Sequence, residues 1–262
     1  YIDGAVNNDV FGLAASGTNG GQTGISPFSM DIIDQVQVIL SPYDVSYGGF
    51  AGAGISAVTK SGTNRTEGTA YYFLQNENLV GKTNKTYAER YGIADSARAR
   101  VADFTKSTYG ASLGGPIKKN KLFYFINAEI QQDETPILFD YSTYKGNSDQ
   151  TKVQELKNKL INDYGYDPGN FGNASDDLDG LKLFGKIDWN INNSNRLTLR
   201  HSYTKAEQYD RNVGSSSTIN FSNNGVYFPS TTNSSALELN SRFGSRFSNN
   251  LILGYTNVND DR

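Results

Sequence analysis

The segment Ile33–Asn64 reads IDQVQVILSPYDVSYGGFAGAGISAVTKSGTN, and the order of its parts decides the fold. Ile33, Val36, Val38 and Leu40 are apolar and are broken by Asp34, Gln35 and Gln37, the pattern of a short, mostly buried β-strand. Ser41-Pro42 stops it, because proline cannot donate to a strand ladder and pushes its neighbour away from helix. Gly48, Gly49, Gly52 and Gly54 follow among small residues, where backbone can approach backbone closely. Ile55, Ala57 and Val58 begin a second short strand, and Lys60–Asn64 reads as a turn. The glycines fit neither G-x-G-x-x-G nor G-x-x-x-x-G-K-[ST], so a nucleotide site is not indicated.

Downstream of this segment the hydrophobic period becomes two. Thr69, Tyr71 and Phe73 alternate with Ala70, Tyr72 and Leu74. A strand over 104–115 turns at Pro116–Asn120 into one whose apolar face is Leu122, Tyr124, Ile126, Ala128 and Ile130. Leu183, Ile187 and Trp189 oppose Phe184, Lys186 and Asp188, and Leu197, Leu199, His201 and Tyr203 oppose Thr198, Arg200, Ser202 and Thr204. Leu237, Leu239, Ser241, Phe243, Ser245 and Phe247 oppose Glu238, Asn240, Arg242, Gly244 and Arg246, and Ser248-Asn249-Asn250 turns into Leu251–Val258. Polar inserts over Asn76–Asp103, Gln132–Gly180 and Gln208–Ser234 alternate with tight turns near Lys118-Lys119, Asn192-Asn193 and Asn249-Asn250. Within the longest insert, Val153, Leu156, Leu160 and Ile161 fall at helical spacing, so Asp149–Tyr164 is expected to be a helix.

Long and short connections in alternation are the signature of a bacterial transmembrane β-barrel, with short periplasmic turns and long external loops. A soluble sandwich also alternates, so the face pattern alone does not separate the two; the loop rhythm favours the barrel. Mean hydropathy is −0.54, and no apolar run reaches the length of a membrane helix, but barrel strands carry little hydropathy signal. A net charge of −3 over 262 residues gives no footprint for nucleic acid. With no cysteine, disulfides and thiolate metal sites are excluded.

The order Ser-Pro-x-Asp-Val, Gly-Gly-Phe, small-Gly, Ile-x-Ala-Val-Thr-Lys-Ser-Gly-Thr-Asn resembles the end of the plug domain of TonB-dependent outer-membrane receptors, in their Oar-like branch. Ser56 stands where that family usually has Asn. Tyr1-Ile2-Asp3-Gly4 with Asn7-Asn8-Asp9-Val10 is similar to the middle of the plug, and Leu113–Ile117 with Lys121–Phe125 to early barrel strands. The resemblance implies a mainly all-β protein: a transmembrane antiparallel β-barrel of about 22 strands with an α+β plug in its lumen. Residues 1–64 are then the C-terminal part of the plug and 65–262 the first strands, about seven in number. Both ends read as cuts through a longer protein.

As the resemblance implies, the protein is no enzyme. The resemblance further implies an importer of a peptide, glycan or metal chelate, and no cofactor or bound metal is expected. Its partners are the TonB-ExbB-ExbD motor, reached through a segment upstream of Tyr1, and outer-membrane lipid, with a surface lipoprotein or other envelope protein as an added candidate. A non-transporting scaffold or adhesion component on the same fold, and a soluble glycan-binding β-protein, stay open as alternatives.

The site candidates follow from strand parity. Glu129, Lys186, Asp188, Arg200, Glu238, Arg242 and Arg246 are expected to face the lumen or plug. Tyr124, Trp189 and Tyr203 are expected on the lipid side, in or near an aromatic girdle. Gly48, Gly49, Gly52 and Gly54 are expected to let the plug pass close to the wall. His201 is the one histidine and has no triad, so catalysis is not indicated. Ser175–Gly180 resembles half of a calcium loop but lacks the first acid and the final Glu, and is expected to be a turn. Tyr141, Tyr144, Tyr164, Tyr166, Phe171 and Tyr227 fall in the inserts, where tyrosine suits glycan or peptide contact or simple loop packing.

Overall fold

The computed structural model describes residues 1–9, 11–40, 53–82, 84–90, 92–98, 100 and 102–261. Strands β1 (Ile33–Leu40) and β2 (Ala53–Thr59) form an antiparallel hairpin. Seven further strands follow: β3 (Glu67–Asn76), β4 (Thr105–Lys118), β5 (Leu122–Ile137), β6 (Ala174–Asn192), β7 (Asn195–Arg211), β8 (Gly225–Phe243) and β9 (Phe247–Asp260). They make one antiparallel sheet in strict chain order, each strand paired with the next. Of the described residues, those of 1–66 lie against one face of it, and none lies against the other.

Period-two alternation dictates the two faces, since successive side chains of a strand point to opposite sides. Phe125, Asn127 and Glu129 of β5 are buried on the covered face, while Ile126 between them is 50% exposed on the bare one. Lys182, Phe184, Lys186 and Asp188 of β6 are buried, whereas Leu183 and Ile187 are 42% exposed.

The register also carries a stagger. Leu122, which opens β5, lies opposite Trp189, and the row continues through Leu197 and Leu239 to Leu251. Trp189 stands three residues before the end of β6 at Asn192, and Leu239 four before the end of β8 at Phe243. Hairpin ends therefore step in one direction across the sheet, as the tilted strands of a barrel require.

Several expectations change. β1 is exposed rather than mostly buried: Val36, Val38 and Leu40 are 51%, 60% and 74% exposed, because the hairpin packs only on its own partner strand there. Pro116 belongs to β4, opposite Phe123, and the ladder slips between Pro116 and Lys118 before a tighter turn. The last short turn is Gly244–Arg246, not Ser248–Asn250; Gly244 takes φ 63°, and β9 starts at Phe247. The inserts after β5 and β7 shrink to 138–173 and 212–224, since β5 to β8 run well beyond the expected ends. Ser175–Gly180 is neither a turn nor a calcium loop. It is inside β6, with Asp177 opposite both Glu134 and Tyr209.

The helix in the first of these inserts is Gln150–Tyr164, as its spacing indicates, with the Asp149 carboxylate accepting from Lys152 N and Gly165 closing its end at φ 66°. The two inserts are fastened together. Lys145 N donates to Ser216 O at 2.9 Å, Ser222 N to Asn170 O at 2.6 Å and Asn223 N to Pro168 O at 3.1 Å. Phe171 meets Phe221 edge-on, with ring centroids 5.9 Å apart.

Candidate functional site

The covered face of the sheet and residues 1–66 meet along a buried polar seam. Its apolar anchor is small: Ile32, Phe125 and Phe184 are buried together, with Phe28 and Ile33 packed around them. Ile2, Ile25 and Ala57 are buried too, but many of the other buried groups are polar, which is costly unless each finds a partner.

One cluster centres on Glu129. Its Oε1 accepts from Lys182 Nζ at 2.8 Å, and its Oε2 accepts from Ser29 Oγ at 2.6 Å and Tyr71 Oη at 2.5 Å. Glu129 and Lys182 are both buried, so the pair is stabilising only because the remaining acceptor capacity is also used. Gly110 leaves room for Tyr71, whose ring would collide with any side chain there.

A second cluster centres on Asp3. Its Oδ1 accepts from Thr59 N at 2.8 Å and its Oδ2 from Thr59 Oγ1 at 2.7 Å. Arg200 Nε lies 3.3 Å from the same carboxylate and Lys186 Nζ 3.8 Å. Lys186 Nζ donates to Thr59 O and Oγ1, both at 3.0 Å, and Arg200 Nη2 to Ile2 O at 2.9 Å.

Asp31 makes a third point of contact. It pairs with Lys60 at 3.0 Å and accepts from Thr69 Oγ1 at 3.0 Å. Burial works against its charge, but hydrogen bonds from Ser112, Lys60 and Thr69 together outweigh that and hold its pKa below the ordinary carboxylate value. Asp9, on the surface of the 1–66 segment, is lowered chiefly by the Ala14 backbone N–H that it caps at 2.6 Å.

Close backbone approach occurs at Gly62. A Cβ there would overlap Tyr124 O and stand 2.7 Å from Gly115 O, so the segment touches main chain of β4 and β5 directly. Gly48, Gly49 and Gly52 lie outside the described residues. Gly54 is buried opposite Ile39 within the β1–β2 hairpin.

The expected site residues are distributed as follows. Glu129, Lys186, Asp188 and Arg200 are buried on the covered face, and Glu238 is half-buried there, accepting from Asn240 and Asn250 Nδ2 at 2.8 Å. Asp188 Oδ1 accepts from Arg196 Nη2 and Thr198 Oγ1, each at 2.8 Å. Arg242 and Arg246 do not join them. Arg242 is exposed at the end of β8, and Arg246 sits in the turn, because the hairpin closes earlier than its sequence suggested. Tyr124, Trp189 and Tyr203 all lie on the bare-face rows. His201, on the same face, shares a 2.8 Å hydrogen bond with Ser235 Oγ. Lys182, Asp3, Ser29 and Thr59 were not anticipated. Lys182 has the parity of Lys186 and was legible once β6 is extended upstream; the other three join the wall across long stretches of chain.

Comparison with known proteins agrees with this architecture. Residues 58–168 match the model of the outer membrane beta barrel domain. The chain is similar to the outer membrane transporter YddB from Escherichia coli, with a TM-score of 0.61 at 14% identity over 99% of this chain and 31% of that one. It is also similar to the ferric enterobactin receptor PfeA from Pseudomonas aeruginosa, with a TM-score of 0.59 at 14% identity over 99% of this chain and 32% of that one. The protein is thus an outer-membrane β-barrel protein of a bacterium, and its seven-stranded sheet is part of the barrel wall.

In sequence it is related to the "TonB-dependent transporter Oar" of Myxococcus xanthus, at 32% identity over 125 residues, which are 47% of this chain and 10% of that protein. The chain therefore spans about a tenth of that relative and about a third of the solved structures. An outer-membrane barrel removes the soluble glycan-binding alternative; on the bare face Ile126, Leu183, Ile187 and Leu199 form an exposed apolar row.

Proposed function

We propose that the protein is a TonB-dependent importer of the outer membrane, and that residues 1–64 are the C-terminal part of a plug held in the lumen by the polar seam. The observation that carries this reading is the inversion of the sheet. Ion-paired Glu129, Lys182, Lys186 and Arg200 are buried beneath residues 1–66, while an aliphatic row stands open on the opposite side. A lumen filled by a polar segment and an outside wetted by lipid explain both. A seam built of hydrogen bonds and ion pairs, with only a small apolar anchor, suits a plug that must part from the wall when pulled.

On this reading the motor acts through TonB on a segment outside residues 1–262. The ligand, a peptide, glycan or metal chelate, crosses without chemical change. Ile126, Leu183, Ile187 and Leu199 face lipid, with Trp189 and Tyr124 in the girdle nearest the short turns. The inserts over 77–104, 138–173 and 212–224 are external.

The test is topological and energetic together. In intact cells an impermeant maleimide should label Ser148→Cys and spare Asn193→Cys, and uptake should stop when the proton gradient is collapsed. Equal labelling at both sites, or uptake that survives uncoupling, would reject the importer.

A further inference from the structure

Ile2–Ala5 is a two-residue hairpin: Ile2 N donates to Ala5 O and Ala5 N to Ile2 O, both at 2.9 Å. Its centre, Asp3-Gly4, has φ of 43° and 76°. A type I′ turn needs positive φ at both positions, and Asp-Gly is among the pairs that accept it best. The turn explains an Asp or an Asn at position 3 equally well. What only an Asp supplies is charge, and that charge is placed where it matters most.

Among the described residues of 1–66, Asp3 is the acid that ion-pairs with the sheet, and it meets two buried cations, Lys186 and Arg200. The same carboxylate holds Thr59 at the end of β2, and Thr59 in turn accepts from Lys186. Three pieces of chain, the first turn, β2 and the wall, are joined through one side chain. The other charged groups nearby are already engaged. Asp188 takes Arg196 and Thr198, and Glu238 takes two asparagines. They border a cavity of about 360 Å³ beside Asp3 and Lys186. Asp188 keeps one buried oxygen without a hydrogen-bond partner, so what sets Asp3 apart is contact: among the described residues it is the acid within ion-pair distance of both Lys186 and Arg200.

We propose that Asp3 is the latch of the seam: its negative charge, beyond its turn and its hydrogen bonds, keeps residues 1–5 and β2 on the barrel wall. This rests on the plug reading above. A buried cation left without its partner is far more destabilising than a pair removed whole, so the latch is released by separating charges and restored by deleting them together.

The experiment uses the full-length protein in cells, with vancomycin as a probe too large to cross an intact outer membrane. Asp3→Asn keeps the I′ turn and the acceptor for Thr59 N, removes the charge, and replaces the acceptor for Thr59 Oγ1 by a donor. It should raise vancomycin entry about tenfold, with the barrel's heat-modifiable migration on gels unchanged. Adding Lys186→Met and Arg200→Met to Asp3→Asn should return entry toward the unmodified level. Should Asp3→Asn fail to reach the membrane, Lys186→Gln with Arg200→Gln leaves the carboxylate unbalanced from the wall side and should leak likewise.

Deleting residues 1–60 calibrates the assay. If the deletion leaks and the charge variants stay tight, Asp3 is not the latch although the plug stands. If Asp3→Asn leaks and the triple variant leaks equally, hydrogen bonding rather than charge holds the joint, and the proposal fails. If the deletion itself does not leak, the plug reading falls and the latch with it.

Discussion

The two faces of the sheet are made by the same strands, yet each reverses what water would select. On the covered face, Lys182, Lys186, Asp188 and Arg200 are no more than 6% exposed. On the bare face, Ile126, Leu183, Ile187 and Leu199 are 42–50% exposed. In a soluble sheet the charged face would be wet and the aliphatic face buried. The difference teaches that burial alone does not identify a core. The covered face is held by paired polar groups, each dependent on its partner, whereas the bare face, on the proposed reading, depends on the surrounding solvent being hydrocarbon.

If so, the faces should fail in different ways. The largest effect is expected from Glu129→Ala, which strands Lys182 in the seam. It should destabilise by about 3–5 kcal/mol, while Glu129→Met with Lys182→Met should be close to neutral. Urea unfolding of the protein refolded into lipid vesicles measures both. A double variant as damaged as the single one would break the claim that pairing sustains the covered face.

Next comes Leu183→Arg on the bare face. Near the middle of the apolar belt it should cost about 2–4 kcal/mol, while Leu197→Arg, beside the short turn, should cost about 0–1 kcal/mol. The same unfolding assay reads this depth dependence, and equal costs at the two depths would deny that lipid is the solvent.

Acid should loosen the seam through Asp31. The Asp31 pKa is lowered in the folded protein, so its contribution is complete above the unfolded-state pKa of about 3.9 and disappears as pH falls through the lower folded value. Hydrogen exchange over Ile33–Thr59 should therefore be flat from neutral pH to about 5 and quicken only below about 4, after correction for intrinsic rates. Loosening already at pH 6 would assign the transition to another group. The smallest effect belongs to neither face: Asp149→Ala removes the cap of the loop helix and should cost about 1 kcal/mol of local stability. Exchange protection confined to Gln150–Tyr164 should report it, with the barrel strands unchanged.

What could be read from the sequence follows the same division. Through the apolar rows, one face is aliphatic and the other is polar, so alternation is sharp and the strands around Leu122, Leu183 and Leu197 are legible. Further from the short turns, both faces meet water or loops. Asp176–Asp179 has Leu178 as its one apolar residue and Ser230–Ser235 has none, and backbone pairing, as between Glu134 and Asp177, makes them strands. Sequence periodicity cannot see that. The closing turn was misplaced because Asn249-Asn250 is richer in turn formers than Gly244–Arg246. The wall half of the seam was visible as charged residues on one parity. Its other half was not, since Ser29 reaches Glu129 and Ile2 reaches Arg200 across distances that no local pattern encodes.

The cross-fastened inserts change how the mouth of the barrel can evolve. Asn170 accepts from the backbone N–H of Ser222 and donates its own to the Ser222 hydroxyl, and Asn223 reaches both Asp167 and Pro168. A new residue in either insert would therefore slide one half of a zip against the other. If the inserts are the external mouth of the proposed importer, ligand choice there would be inherited as a pair of loops, and lengthening one would demand a matching adjustment across the gap. Chimeras that exchange 138–173 and 212–224 together should display on the cell surface, where single exchanges splay apart.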